Sequence, residues 1–146
     1  MITFVKGDLL ELAEEGSFDV ILHGCNCFHA MGGGIARQIA KQYPGALEAD
    51  KRTVKGDKLG TFSSHVTDKF VILNCYTQLE ISSGEDVFDY DSFEKCLWSA
   101  RELYHGKRFG MPKIGAGLAH GDWRRILKII ESVMWYENVT IVELAR

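Results

Sequence analysis

HGCNCFHAMGGGIARQIAKQYP, His23 to Pro44, follows the apolar run Val20-Ile21-Leu22 and carries three consecutive glycines at 32–34. Beyond them Ile35, Ala36, Ile39, Ala40 and Tyr43 recur at helical spacing. The order is strand, glycine loop, helix. Unpaired backbone N–H groups and the positive end of a helix dipole therefore converge where glycine permits close approach, which is an anion cradle.

Outward from this unit, residues 2–5, 19–25, 60–66, 69–76, 107–111 and 139–144 are short, β-rich and bounded by Gly, Asp or charge. Two more periodic segments predict helices: Phe93, Cys96, Leu97, Ala100 and Leu103, then Trp123, Ile126, Leu127, Ile130, Val133 and Met134. Asp122 and Asp91 read as their N-caps, with Glu94 completing a capping box on Asp91. Val66-Thr67-Asp68-Lys69 reads as a hairpin, whereas strand and helix alternate elsewhere. These features predict one domain over 1–146, an α/β, three-layer α/β/α sandwich on a mixed sheet of six strands. In such sheets ligands bind beyond the carboxyl ends of the strands, here at Lys6-Gly7-Asp8, Cys25 to Gly34 and Pro112 to Gly121.

Composition sets the bounds. A length of 146 residues, 46% hydrophobic and 25% charged with two prolines, suits a single ordered core. The net charge of −3 and scattered Lys and Arg disfavour a duplex nucleic acid held through its backbone. Cys25, Cys27, Cys75 and Cys96 follow no paired spacing, and Met1-Ile2-Thr3-Phe4 opens straight into a strand. No apolar stretch approaches the ~20 residues of a membrane helix. The expectation is a monomeric cytoplasmic chain (host cytoplasm if viral) with free thiols, no cofactor and no membrane partner.

Gly115, Gly117 and Gly121 form a second glycine loop ahead of Asp122, so the ligand should carry more than one phosphate or ribose. Glycines that merely make tight turns are the alternative. Known fingerprints fail. Gly115-x-Gly117-x-x-His120 lacks the third glycine of a dinucleotide fold, and Gly110-x-x-x-x-Gly115 continues Ala116-Gly117 where a P-loop needs Lys and Ser or Thr. His23, Cys25, Cys27 and His29 alternate along one extended segment, which cannot wrap a tetrahedral metal, so no metal is expected. The two thiols read as small buried hydrophobes. Asn26 beside the glycines would bond sugar hydroxyls, or would cap a turn.

Three segments together resemble a macrodomain, the ADP-ribose-binding module: VKGDLLEL, HGCNCFHAMGGGIARQIAKQYP and MPKIGAGLAHGDW. The match is greatest with the branch of ADP-ribose 1″-phosphate phosphatases, in which HxCNC, GGGIA and a following YP recur. The resemblance implies hydrolysis of ADP-ribose 1″-phosphate to ADP-ribose and phosphate. It implies that Asp8 accepts from the adenine amino group and that the backbone of Leu9 helps read the ring. Asn26 would hold the distal ribose; Gly32, Gly33, Gly34 and Ile35 would line it and the neighbouring phosphate. Gly115, Ala116, Gly117, Leu118 and Ala119 would wrap the diphosphate.

Other branches differ at decisive positions. Macrodomains that strip ADP-ribose from acidic side chains often place an Asp where Ala36 stands, and another hydrolase branch uses a Lys and an Asp where Gln78 and Ala119 stand. A non-catalytic reader, or a hydrolase acting on ADP-ribosylated protein or nucleic acid or on O-acetyl-ADP-ribose, is the rival reading. For phosphatase chemistry Asn26 and His23 are the candidate catalytic residues, His23 as acid or base because imidazole moves protons near neutral pH, and a core histidine is the alternative. His120, and Asp86, Asp89 and Asp91, are further candidates.

Overall fold

In the computed structural model, which describes residues 2–82 and 84–145, the chain alternates strand and helix as the sequence pattern predicts. The order is β1 (Ile2–Gly7), α1 (Leu9–Glu14), β2 (Val20–Asn26), α2 (Gly34–Gln42), α3 (Pro44–Lys51), β3 (Phe62–Val66), β4 (Val71–Gln78), α4 (Tyr90–Leu103), β5 (Arg108–Met111), α5 (Trp123–Val133) and β6 (Asn138–Leu144). Met1, Ser83 and Arg146 lie outside the described residues.

The six strands form one sheet in the order β1-β6-β5-β2-β4-β3. Every neighbouring pair is parallel except β3 with β4, the expected hairpin. Strand alternation sends Val20, Leu22, Leu73, Cys75, Phe109, Val139 and Ile141 to one face, where Phe93, Leu97, Ile126 and Ile130 of α4 and α5 cover them. Ile21, Ile72 and Val142 point to the other face, against α1, α2 and α3 through Leu10, Ile39 and Ala46. Both faces are thus buried, as a parallel sheet requires. No helix among the described residues is long and apolar enough to cross a membrane.

Two helices carry no long periodic stripe and escape the sequence pattern. α1 starts on Asp8, whose carboxylate accepts from Leu10 N and Glu11 N at 2.9 and 3.1 Å. α3 has Pro44 at its first position, where a missing N–H costs nothing. One cap expectation is corrected. The N-cap of α4 is Asp89, which accepts from Ser92 N at 2.9 Å, and Asp91 lies exposed in the first turn. Asp89 N donates to Thr77 O at 2.6 Å, fixing the helix start two residues early.

Candidate functional site

All four parallel pairings run the same way, so the loops after β1, β2 and β5 leave from one edge. The first carries Asp8 and the buried Leu9, and Asp8 Oδ1 is the oxygen that caps α1. The second and third are the glycine loops.

Loop 1 spans Cys27 to Gly33. Asn26, at the end of β2 and 7% exposed, organises it: its Nδ2 donates to Ala30 O at 2.8 Å and its Oδ1 accepts from Phe28 N at 2.9 Å. Both readings of Asn26 therefore start from a turn-forming amide, which retains one N–H and one lone pair. His29 sits at φ 60° with its Nε2 2.9 Å from Thr53 O, and Gly56 N donates to Cys27 O at 3.0 Å. The loop is thus braced against the segment after α3. It ends at Gly33, the N-cap of α2, which contributes no side chain; Gly34 follows at φ 57°. The first turn of α2 accordingly presents uncapped N–H groups.

Loop 2 spans Pro112 to Gly121 and folds on itself through Ala116 N to Lys113 O, His120 N to Gly117 O and Gly121 N to Gly115 O. Val87 N donates to Ala119 O at 3.0 Å, tying the loop to the segment before α4. Among the described residues, the amides of Gly117, Leu118 and Ala119 meet no acceptor. Leu118, 60% exposed, reaches across: its Cδ1 stands 2.8 Å from where a Cβ on Gly33 would be. The two glycine loops meet there, Gly33 and Gly34 on one side and Leu118 on the other. Ala119 faces inward and is buried.

The histidine expectation needs correction. His23 is 0% exposed, and its Nε2 is 2.6 Å from Asn74 Oδ1. Asn74 Nδ2 donates to Ala46 O and Ser63 Oγ, both at 3.0 Å, so its oxygen is the acceptor and His23 Nε2 the donor. Ser63 continues to Tyr76 OH at 2.8 Å, and Tyr76 donates to buried Asp50 at 2.7 Å. Burial depresses the His23 pKa to about 4 against a partial rise from Asn74. The imidazole is a neutral core group facing α3, and it does not reach the cleft. The polar Asn74 inside the apolar run of β4 was the sequence signal for this network.

Cys25 lies 3.6 to 3.7 Å from both ring nitrogens of His23, and burial pushes its thiol pKa well up. All four cysteines are buried and free. Of the acidic candidates, Asp89 is spent on its cap; Asp86 accepts from Phe88 N at 3.0 Å and Tyr90 OH at 2.5 Å. Tyr90 OH in turn accepts from Asp122 N at 2.9 Å, joining this segment to the end of loop 2. His120 is exposed on loop 2 at φ 54°.

A mixed six-stranded sheet between two helical layers, with paired glycine loops meeting at its carboxyl edge, defines the class of module. The Macro domain family model matches residues 22–130, and the chain belongs to that family. It is 36% identical over 98% of its length, and 96% of the relative's, to an uncharacterized 17.5 kDa protein from the tk-vs intergenic region of Enterobacteria phage T4. It is 29% identical to an ADP-ribose 1″-phosphate phosphatase of Candida albicans, over 84% of this chain and 87% of that one. Thermosipho africanus DarTG, solved in complex with ADP-ribose, shares the fold with a TM-score of 0.76 at 16% identity, over 97% of this chain and 41% of that one.

Proposed function

We propose that the cleft between the two loops binds ADP-ribose and that its reactive substrate is ADP-ribose 1″-phosphate, from which it releases phosphate. The observation that carries this reading is the uncapped N-terminus of α2 at Gly33, facing a loop whose amides at 117–119 are also unspent. Together they offer donors to a diphosphate without any charged side chain. Adenine would lie by Asp8 and Leu9, the diphosphate along 115–119, and the distal ribose by Asn26 and Gly32 to Gly34. Yeast relatives named as ADP-ribose 1″-phosphate phosphatases support the substrate.

Water adds to phosphorus, the bond from phosphorus to the C1″ oxygen breaks, and that oxygen takes a proton. With His23 sealed inside, the proton transfer falls to His120, the exposed imidazole of loop 2. Positioning and amide donors supply most of the rate, as in other phosphoryl transfers. A reader without turnover is the second reading, favoured by the inward His23 and by Ala36 and Ala119 where other branches carry carboxylates.

Phosphate release and calorimetry on purified protein separate the two. His120→Ala should cut turnover roughly 10²-fold while ADP-ribose affinity stays within a few fold. Asn26→Ala should lower both. Tight ADP-ribose binding with no phosphate released makes the protein a reader, and efficient release of ADP-ribose from modified protein or nucleic acid moves it to the other hydrolases.

A further inference from the structure

We propose that His29 is a positioning residue for the cleft: it ties loop 1 to the segment after α3, and through that tie it sets the orientation of Asn26 and of the start of α2. This rests on the cleft reading above.

Strain marks the position. His29 is one of two non-glycine residues with positive φ among the described residues, and at 60° its Cβ crowds the backbone. Glycine would take this conformation freely, and the chain places three glycines a few residues further on, at 32–34. A side chain persists in such a conformation only where its surroundings hold it there. The holding contact is the 2.9 Å bond from Nε2 to Thr53 O. A carbonyl only accepts, so Nε2 carries the proton and donates.

The receiving side is itself fixed to the sheet. Thr53 N and Thr53 Oγ1 both donate to Asp50 O, at 3.1 and 2.5 Å. Lys58 Nζ clamps the same segment, donating to Thr53 Oγ1 at 2.5 Å and to Val54 O at 2.6 Å. Asp50, 1% exposed, is the acceptor for Tyr76 OH of β4, from which the buried chain runs through Ser63 and Asn74 to His23 on β2. The hydrogen bonds thus form a closed circuit. It leaves β2 at His23, returns to loop 1 at His29, and rejoins β2 at Asn26.

The circuit ends where the ligand is expected. Asn26 donates to Ala30 O and accepts from Phe28 N, the two residues that flank His29, so a shift of His29 turns the Asn26 amide. Gly33, the N-cap of α2, follows four residues on. On the open side nothing stands within 4 Å of a Cβ on Gly32. Loop 1 is therefore held from its outer side, by His29 and by Gly56 N on Cys27 O. A loop ordered in advance spares the ligand the entropy of ordering it, and that saving appears as affinity.

Calorimetry with ADP-ribose and urea unfolding on the same variants test this. His29→Gly relaxes the backbone and loses the bond, so affinity should fall about tenfold while the unfolding midpoint stays near that of the wild type. His29→Ala and His29→Gln share the left-handed penalty, but only glutamine can donate to Thr53 O, and it should recover most of the affinity that alanine loses. Lys58→Met should weaken binding about threefold alone and less than twofold on top of His29→Gly, because both act through Thr53. Wild-type affinity in His29→Gly, equal losses in the alanine and glutamine variants, or additive effects of His29→Gly and Lys58→Met would each overturn the positioning role and leave the cleft reading standing. Failure of the wild type to bind ADP-ribose removes the cleft reading, and the positioning role with it.

Discussion

The two glycine loops look alike in sequence and need their glycines for opposite reasons. In loop 2 Gly115 and Gly121 are packed while Gly117 between them stands in open space: a Cβ on Gly115 would stand 2.6 Å from the Phe88 ring and 2.9 Å from Ile126, and one on Gly121 would stand 2.7 Å from Gly115 O. The helix that follows is closed by Asp122, which accepts from Arg124 N at 3.0 Å. In loop 1 nothing lies within 4 Å of a Cβ on Gly32, Gly33 meets only the tip of Leu118, and the helix beyond is uncapped. Loop 2 is a wall built into the core, and loop 1 is the open side of the cradle. A glycine run signals close approach, but only the surrounding packing says whether the approaching group is the protein or its ligand.

The largest effect should therefore fall on loop 2. Gly115 has φ 79°, where a side chain is strained, and its neighbours are the Phe88 ring and Ile126 Cδ1, both held in the core. Gly115→Ala should cost about 2–4 kcal/mol, read from urea unfolding with the slope unchanged. A loss below about 1 kcal/mol would show that loop 2 is as free as loop 1 and would end the contrast.

The stalk of loop 1 is sealed in a different way, by the neutral His23 under α3. Its folded pKa of about 4 lies below the ordinary 6.5, so between those values the unfolded chain binds a proton that the native one refuses. The stabilisation is complete above the ordinary value, falls as pH drops through this window, and levels off below about pH 4, a total of about 3 kcal/mol. His23→Gln can still donate toward Asn74 but cannot titrate. Its stability should lack this slope. If unfolding midpoints of variant and wild type fall in parallel from neutral to acid pH, the burial argument fails.

Much of this was legible in the residues, for identifiable reasons. Strands ending in glycine and helices with long stripes, such as Trp123 to Met134, announce themselves by periodicity. The short α1 was signalled only by Asp8 acting as a cap, with Glu11 in the first turn, and α3 only by Pro44. Both glycine loops were visible, and their meeting through Leu118 was not, because contact between loops from distant strands depends on sheet order. His23 was misread for a related cause. Alternation places it on one face of β2, but which partner waits there depends on β4 lying beside it and supplying Asn74 in register.

A smaller effect probes the capped helix. Asp122→Ala removes the acceptor for Arg124 N and should cost about 1 kcal/mol of stability, as N-cap losses generally do. ADP-ribose affinity should hold or rise slightly, because a carboxylate at that helix start repels a nearby phosphate. Weaker binding would mean that Asp122 serves the ligand, and the division between wall and cradle would have to be redrawn.

The smallest change in stability should come from Gly32→Ala, and it is the sharpest test of the open side. Gly32 does not adopt a left-handed φ, and the space around its Cβ position is empty. An alanine there should leave folding within about 0.5 kcal/mol, or stabilise slightly by restricting the unfolded chain. The same methyl would occupy room beside the uncapped start of α2. If a ribose and its phosphate press against this loop, ADP-ribose affinity should fall about tenfold or more while the unfolding midpoint barely moves, a separation that Gly115→Ala cannot produce. Calorimetry and denaturation on the same preparation read both quantities. Unchanged affinity would place the ligand away from loop 1, and the emptiness around Gly32 would then be a property of a turn and not of a binding wall.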